Sequence, residues 1–306
     1  MKEDRPKIII ITGPTASGKS SLAVNLALHF GGEIINSDSM QVYRGMDVGT
    51  AKLSIERKKG VVHHMIDVVD PDEDFNAALY RSLAIPIVKD IFQRKKLCFV
   101  VGGTGLYIKV LLGGLLKCPP VNTRFRNGLI CECEERGSSF LHEKLKMLDP
   151  VSALKIHPND RTRVIRAMEV VHLTDQALSS LILQHDFNDR PFQSLKICIY
   201  MERGLLYKRI NERCVSMIKS GLFEETQMLL KNGYSGNLRS MNALGYRHAV
   251  KYLMDECGLE ETIMQLQRDT RRYAKRQLTW FRADQEMIWA KPEDVDFINK
   301  EIEKFI

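Results

Sequence analysis

The run Gly13-Pro14-Thr15-Ala16-Ser17-Gly18-Lys19-Ser20 holds the residue types that polyphosphate binding demands. Glycines let consecutive backbone N–H groups turn toward an anion, Lys19 neutralises phosphate charge, and the Ser20 hydroxyl can reach a Mg²⁺ ion. The β-branched run 7–12 ahead of it reads as a strand. Residues 20–30 behind it read as a helix whose N-terminus faces the anion. The pattern predicts a site for a di- or triphosphate.

Asp38 closes a second apolar run, Ile34-Ile35-Asn36-Ser37. Ligands of open α/β sheets bind beyond the carboxyl ends of strands, so Asp38 is expected to point into the phosphate crevice. Its type suits a general base, an outer-sphere Mg²⁺ partner, or a plain turn residue. A third apolar run ends Val100-Val101-Gly102-Gly103-Thr104-Gly105, where a P-loop NTPase would carry a metal-binding acid. Its absence argues against a water-activating or motor NTPase. Thr104 suits a phosphate donor, a residue that orients a nucleophile, or the N-cap of a helix over 106–112. Arg209 and Arg213, four residues apart, share one helix face and can neutralise departing phosphate charge. His63 and His64 point apart in either regular structure, which disfavours a shared metal. From Arg268 to Arg282 the basic residues 268, 271, 272, 275, 276 and 282 stand against the single acid Asp269. Tyr273, Trp280 and Phe281 interleave with them. Such a segment can track a nucleic-acid backbone while its aromatics pack inward or stack on bases.

These residues need a scaffold. Strands at 7–12, 33–37 and 97–101 alternate with helices at 20–30 and 76–95, the second expected to kink at Pro86. The fold class is therefore α/β, a P-loop NTPase-like parallel sheet flanked by helices. A long polar connection over 45–60 is expected to line a site. Residues 118–190 carry no strand pattern but helical ones at 124–135, 139–147, 150–156 and 161–173. They read as a small all-helical insertion, entered at Pro119-Pro120 and left at Asp189-Arg190-Pro191. Residues 1–117 and 191–306 form the core. Strand character resumes at 195–200, then helices run to a short apolar stretch at 287–290.

The 306 residues carry a net charge of +7, a modest excess that does not by itself prove a nucleic-acid partner. Apolar runs are too short for a bilayer and the N-terminus is polar, so a cytoplasmic protein without a membrane partner is expected. Seven scattered cysteines without CxxC spacing fit reduced thiols rather than a disulfide framework or zinc site.

Taken in order, GPTASGKS (13–20), NSDSMQVYRGMDVGTAK (36–52), HHMIDVVDP (63–71), VVGGTGLYIKVLLGG (100–114), DRTRVIRAMEV (160–170), NALGYR (242–247) and RRYAKRQLTWFR (271–282) resemble the bacterial tRNA dimethylallyltransferases. The resemblance implies transfer of a dimethylallyl group from its diphosphate to N6 of the adenosine 3′-adjacent to the anticodon, with Mg²⁺ as cofactor. It further implies that Asp38 is the general base, Thr104 lies at the reactive centre and Arg213 grips the diphosphate cradled by residues 13–20, with Ser20 toward the metal. Positions matching tRNA contacts are Asp38, Ser39, Met40, Gln41, Thr104, Arg126, Thr162, Arg163, Arg166, Asn242, Gly245, Tyr246, Arg247, Lys275, Arg276, Gln277, Thr279, Trp280 and Arg282. Ser20 replaces a commoner threonine and keeps the hydroxyl, whereas the 242–244 triplet departs from relatives. No zinc-finger extension follows Arg282. The implied partners are the tRNA anticodon stem-loop and dimethylallyl diphosphate, with the enzyme a monomer. The competing classes are a prenyltransferase of free adenine nucleotides, a small-molecule P-loop kinase and a non-catalytic RNA-binding protein. The full basic C-terminal segment and the GYR block argue against the first.

Overall fold

A computed structural model describes residues 5–116, 122–186 and 189–306. The expected entry to the insertion at Pro119-Pro120 lies outside the described residues. The elements run β1 (Lys7–Thr12), α1 (Lys19–His29), β2 (Glu33–Asn36), α2 (Ile55–Lys58), β3 (His63–His64), α3 (Ala77–Gln93), β4 (Cys98–Gly102) and α4 (Gly105–Gly113). Then follow α5 (Thr123–Arg136), α6 (Ser138–Leu148), α7 (Pro150–Lys155), α8 (Arg161–Thr174) and α9 (Leu178–His185). The chain ends with β5 (Gln193–Ile199), α10 (Arg203–Lys219), α11 (Leu222–Lys231), α12 (Tyr246–Leu253), α13 (Leu259–Arg282), β6 (Ile288–Ala290) and α14 (Val295–Phe305).

Among the described residues the strands form one all-parallel sheet in the order β3-β2-β4-β1-β5-β6. A central parallel strand is covered on both faces, so it needs apolar residues at every position. β1 meets that need with four consecutive isoleucines. Ile8 and Ile10 enter one core with Tyr80 and Val88 of α3 and Ile210 of α10. Ile9 and Ile11 enter the other, with Leu22 and Leu26 of α1 and Ile298 and Ile302 of α14. Each such side chain contributes about 1.5–3 kcal/mol on full burial. α3 runs through Pro86 without interruption, forfeiting one backbone hydrogen bond.

The order of strands places a topological switch between β4 and β1, since the chain leaves β1 toward β2 and returns through β4 before crossing to β5. A crevice opens at such a point beyond the strands' carboxyl ends.

The connection between β2 and β3 is anchored by Val42 and Tyr43, just ahead of the polar stretch expected to line a site, and by Met46 within it, all three buried in the core. Two clamps hold the rest. Glu225 of α11 accepts the N–H groups of Asp47, Val48 and Gly49 at 2.8–3.0 Å. Lys52, only 7% exposed, donates to Tyr43 O and to Asp47 and Asp67. A buried backbone loop must satisfy its polar groups in this way.

Residues 1–112 and 191–306 form one compact unit and 113–190 a second. The second has its own core of Leu129, Leu141, Leu145, Val164 and Met168. There Glu169, fully buried, accepts Arg126 at 2.6 Å, Arg166 at 2.7 Å and Asn122 N at 3.1 Å. Phe125 stacks on His172 at 3.8 Å between ring centroids.

Candidate active site

The loop after β1 is shaped by its glycines. A Cβ on Gly13, at φ 142°, would stand 2.3 Å from Ile199 O, so only glycine fits there. Gly18 adopts the left-handed conformation at φ 88° and starts α1 without a side-chain cap or an acid in the first turn. That leaves the first N–H groups of α1 free for an anion. The Ser17 hydroxyl is buried and, among the described residues, has no partner, a further donor in the same loop. Lys19 is half-buried and donates to Pro14 O at 3.2 Å. Burial pushes its ammonium down to about 8, with the charge of Asp38 opposing and that of Arg213 adding to the depression.

Asp38, one strand over, is held by its neighbours. Its N–H donates to Asn36 Oδ1 at 3.2 Å, and its Oδ1 accepts Met40 N–H at 2.9 Å. Among the described residues Oδ2 has no hydrogen-bond partner. Arg213 enters from α10, where burial lowers its pKa and the Asp38 carboxylate counters that. Tyr273 of α13 and Tyr107 of α4 are raised, chiefly by burial and in part by the same carboxylate. The charge of one acid therefore acts on two cations and two phenols. Arg209 is exposed, its Nη1 3.6 Å from where a Cβ on Gly18 would stand. With Pro292 it lines a cavity of about 150 Å³. Cys198 lies beside Lys19, but burial pushes its thiol up to about 12 and leaves it inert.

The turn after β4 has a steric logic that accounts for its missing acid. A Cβ on Gly102 would lie 2.1 Å from Ser37 O, so no carboxylate side chain fits at that strand end. Thr104 resolves its sequence alternatives in part. Its carbonyl accepts Tyr107 N–H at 3.0 Å and opens α4, while its Oγ1 accepts Ser39 N–H at 3.0 Å. The side chain thus ties the β4 turn to the Asp38 segment and keeps its own proton to donate.

The basic helix splits its aromatics. Phe281 is buried in the core and Trp280 is 41% exposed. Lys275, Arg276, Thr279 and Arg282 are exposed. Asp269 accepts Arg247 at 2.6 Å and neighbours His248, Arg268 and Arg272. Two side chains at expected RNA-contacting positions lie inside. Tyr246 is fully buried and donates to Glu225 Oε1 at 2.6 Å. Gln277, 6% exposed, bonds backbone of the phosphate loop and the β4 turn. Gln41 donates to Thr50 O at 3.2 Å, and Asn242 to Asn237 O and Leu238 O. Gly245 takes φ 93° ahead of α12. In the second unit Thr162 and Arg163 are exposed, and Arg126 and Arg166 share Glu169. His63 and His64 serve structure, His64 meeting Glu33 at 2.8 Å and His63 meeting Val61 O at 2.9 Å.

Nothing in the local sequence marks Glu225. It stands among ordinary acids in the first turn of α11, and its loop partners are some 176–178 residues away. Among the described residues no group of three His, Cys, Asp or Glu side chains could hold a metal. Ser20 at the start of α1 offers a hydroxyl and Asp38 a carboxylate, and oxygen donors so few suit Mg²⁺ bound mainly through substrate phosphates and water.

An uncapped helix behind a phosphate loop, at the switch point of a parallel sheet, defines a P-loop α/β protein. Residues 41–284 match the family model described as IPP transferase, and residues 6–66 match that of isopentenyl transferase. The tRNA dimethylallyltransferase of Geobacter sulfurreducens is 48% identical over 302 residues, covering 98% of this chain and 97% of the relative. The crystal structure of a full-length tRNA isopentenylpyrophosphate transferase from Bacillus halodurans shares 41% identity at a TM-score of 0.70, covering 98% of this chain and 95% of that one. A eukaryotic dimethylallyltransferase acting on tRNA shares 28% identity at a TM-score of 0.80, covering 95% and 75%. The chain belongs to the IPP transferase family.

Proposed function

We infer that the protein transfers a dimethylallyl group from dimethylallyl diphosphate to N6 of the adenosine 3′-adjacent to the anticodon of tRNA, acting as a cytoplasmic monomer. The observation that carries this reading is Asp38, with one carboxylate oxygen unpaired among the described residues, within electrostatic reach of Lys19 and Arg213 of the anion cradle. An adenine N6 is a poor nucleophile because its lone pair is delocalised, so a base must take its proton as the new bond forms. Asp38 Oδ2 fills that role. The N6–C bond forms, the allylic C–O bond breaks, and its electron pair leaves on the diphosphate. Residues 13–20 and Arg213 accept that charge. Thr104 Oγ1, fixed by Ser39, is left to donate to the reacting groups. Ser20 would hold Mg²⁺, which would supply neutralisation of the leaving-group charge.

The adenosine must leave its stack to reach the crevice, which costs a few kcal/mol. The exposed cations Lys275, Arg276 and Arg282, with Trp280 as a stacking surface, offset that cost on the core. Arg126, Arg163 and Arg166 do so on the insertion. Tyr246 and Gln277 act from the interior by holding loops. The test is a choice of acceptor. Offered an anticodon stem-loop and AMP together, the protein prenylates the RNA. Prenylation of AMP alone, or stoichiometric phosphoryl transfer from ATP, would reassign it to one of the competing classes.

A further inference from the structure

The amide of Gln277 joins two loops that the chemistry must keep in register. Its Oε1 accepts the Thr15 N–H of the phosphate loop at 2.9 Å. Its Nε2 donates to Gly103 O at 3.0 Å, in the turn that carries Thr104. The partners lie 262 and 174 residues away in sequence, so the contact is wholly tertiary. Reversing the amide would set oxygen against oxygen and N–H against N–H, which fixes its orientation. At 6% exposure the side chain is sealed from solvent.

Gly103 is shaped to this contact. A Cβ there would stand 2.1 Å from Gln277 Nε2, while its next neighbours are 3.4 and 3.5 Å away. The amide is thus the only close obstacle to a side chain at 103. One turn further along α13, Trp280 Nε1 lies 2.1 Å from where a Cβ on Gly105 would be. The same helix turns Arg276 and Thr279 outward to solvent. Helix α13 is thus seated on the glycine turn by one face and exposes cations on another.

We propose that Gln277 is a positioning residue that sets the separation between the phosphate-binding loop and the Thr104 turn, with Gly103 as its matched partner. The proposal rests on the prenyl-transfer reading above. Thr15 belongs to the group that holds the leaving diphosphate, and Thr104 to the group that meets the acceptor. A rigid link between them fixes the distance over which the allylic carbon must be presented. A displacement of about 1 Å in such a geometry costs on the order of a hundredfold in rate.

The test is a double-mutant cycle in the full-length protein, reading kcat, KM for dimethylallyl diphosphate and affinity for an anticodon stem-loop at fixed salt. Gln277→Ala is expected to lower kcat about ten- to a hundredfold with RNA affinity unchanged. Gly103→Ala, which forces the amide aside, is expected to lower kcat comparably. The double variant is expected to be no worse than either single, because the methyl group occupies space the amide has vacated. Gln277→Glu keeps the acceptor toward Thr15 but turns a carboxylate oxygen on Gly103 O, so it fails to restore the rate. If Gln277→Ala does not fold, Gln277→Met, of similar volume, carries the same expectation. A loss of RNA affinity at unchanged kcat would make Gln277 an RNA contact instead. Losses that multiply in the double variant would dissolve the pairing with Gly103. If the unmodified protein prenylates no RNA, the functional reading fails, and calorimetry with inorganic diphosphate still judges the link. Weaker binding by Gln277→Ala supports it and unchanged binding overturns it.

Discussion

Replacing Lys19 with methionine is expected to stabilise the ligand-free protein while destroying its hold on diphosphate. In the fold, burial and the nearby Arg213 bring the Lys19 pKa from an ordinary 10.5 to about 8, against the pull of Asp38. At about 1.4 kcal/mol per pKa unit, keeping that ammonium charged costs at most about 3.5 kcal/mol more in the fold than in the unfolded chain. The substitution also removes the hydrogen bond to Pro14 O, worth about 1 kcal/mol. The net gain near neutral pH is at most about 2.5 kcal/mol, or roughly 5–10 °C in Tm for a core of this size. Because the folded value lies below the unfolded one, the penalty is complete below pH 8, shrinks as pH rises from 8 to 10.5, and is absent above. Thermal melts of both proteins at pH 7 and pH 10, without ligand, should show the advantage of Lys19→Met narrowing with pH. Calorimetry should show diphosphate binding abolished. A variant less stable than the parent at pH 7, or an offset identical at both pH values, would refute the electrostatic reasoning.

Asp38→Ala is expected to lower the transfer rate by about 10²–10⁴ while diphosphate and RNA affinities hold. Equilibrium binding with and without Mg²⁺ checks this, since loss of Mg²⁺-dependent binding would move Asp38 to the metal. Gly102→Ala should not yield a native protein, because its methyl group would meet Ser37 O at 2.1 Å, and circular dichroism with melting reads this directly. Glu33, held far below the usual carboxylate range first by Arg94 and then by Lys96 and His64 against the cost of burial, supports the opposite sheet end. Glu33→Gln should destabilise the fold at pH 7 by about 1–3 kcal/mol, read by urea titration, because the cations it leaves, Arg94 and Lys96, are partly solvated. Since its folded pKa is depressed, that contribution is present above its ordinary 4.5 and fades as pH falls through the lowered value. Alanine at Lys275, Arg276 and Arg282 together should flatten the salt dependence of RNA binding, by about 0.7 in log–log slope for each phosphate no longer neutralised.

The sheet was legible in the sequence because its strands are continuous β-branched runs buried on both faces. β1, β2, β4 and β5 fall within two residues of the apolar runs that mark them. β3 was not legible, since a strand of two residues offers no periodicity, and its His63-His64 pair reads first as a metal question. Helix α14 carried its signal in Ile298, Ile302 and Phe305, but it lies beyond the short apolar stretch 287–290, past which no element was expected. At the site, local motifs named the phosphate loop, Asp38 and the glycine turn. What they could not give was long-range support. Glu225 and the link through Gln277 depend on partners more than 170 residues away in the chain. The reason no acid follows β4 likewise emerged only from the 2.1 Å approach of Ser37 O to a Cβ on Gly102.

The most direct measurement incubates the protein with labelled dimethylallyl diphosphate, Mg²⁺ and an anticodon stem-loop, then maps the labelled base by nuclease digestion and mass spectrometry. The expected result is label on N6 of the adenosine next to the anticodon on its 3′ side, one diphosphate released per base modified, and at most a trace of product from Asp38→Ala in the same time. Label elsewhere on the RNA, or undiminished transfer by Asp38→Ala, would contradict it.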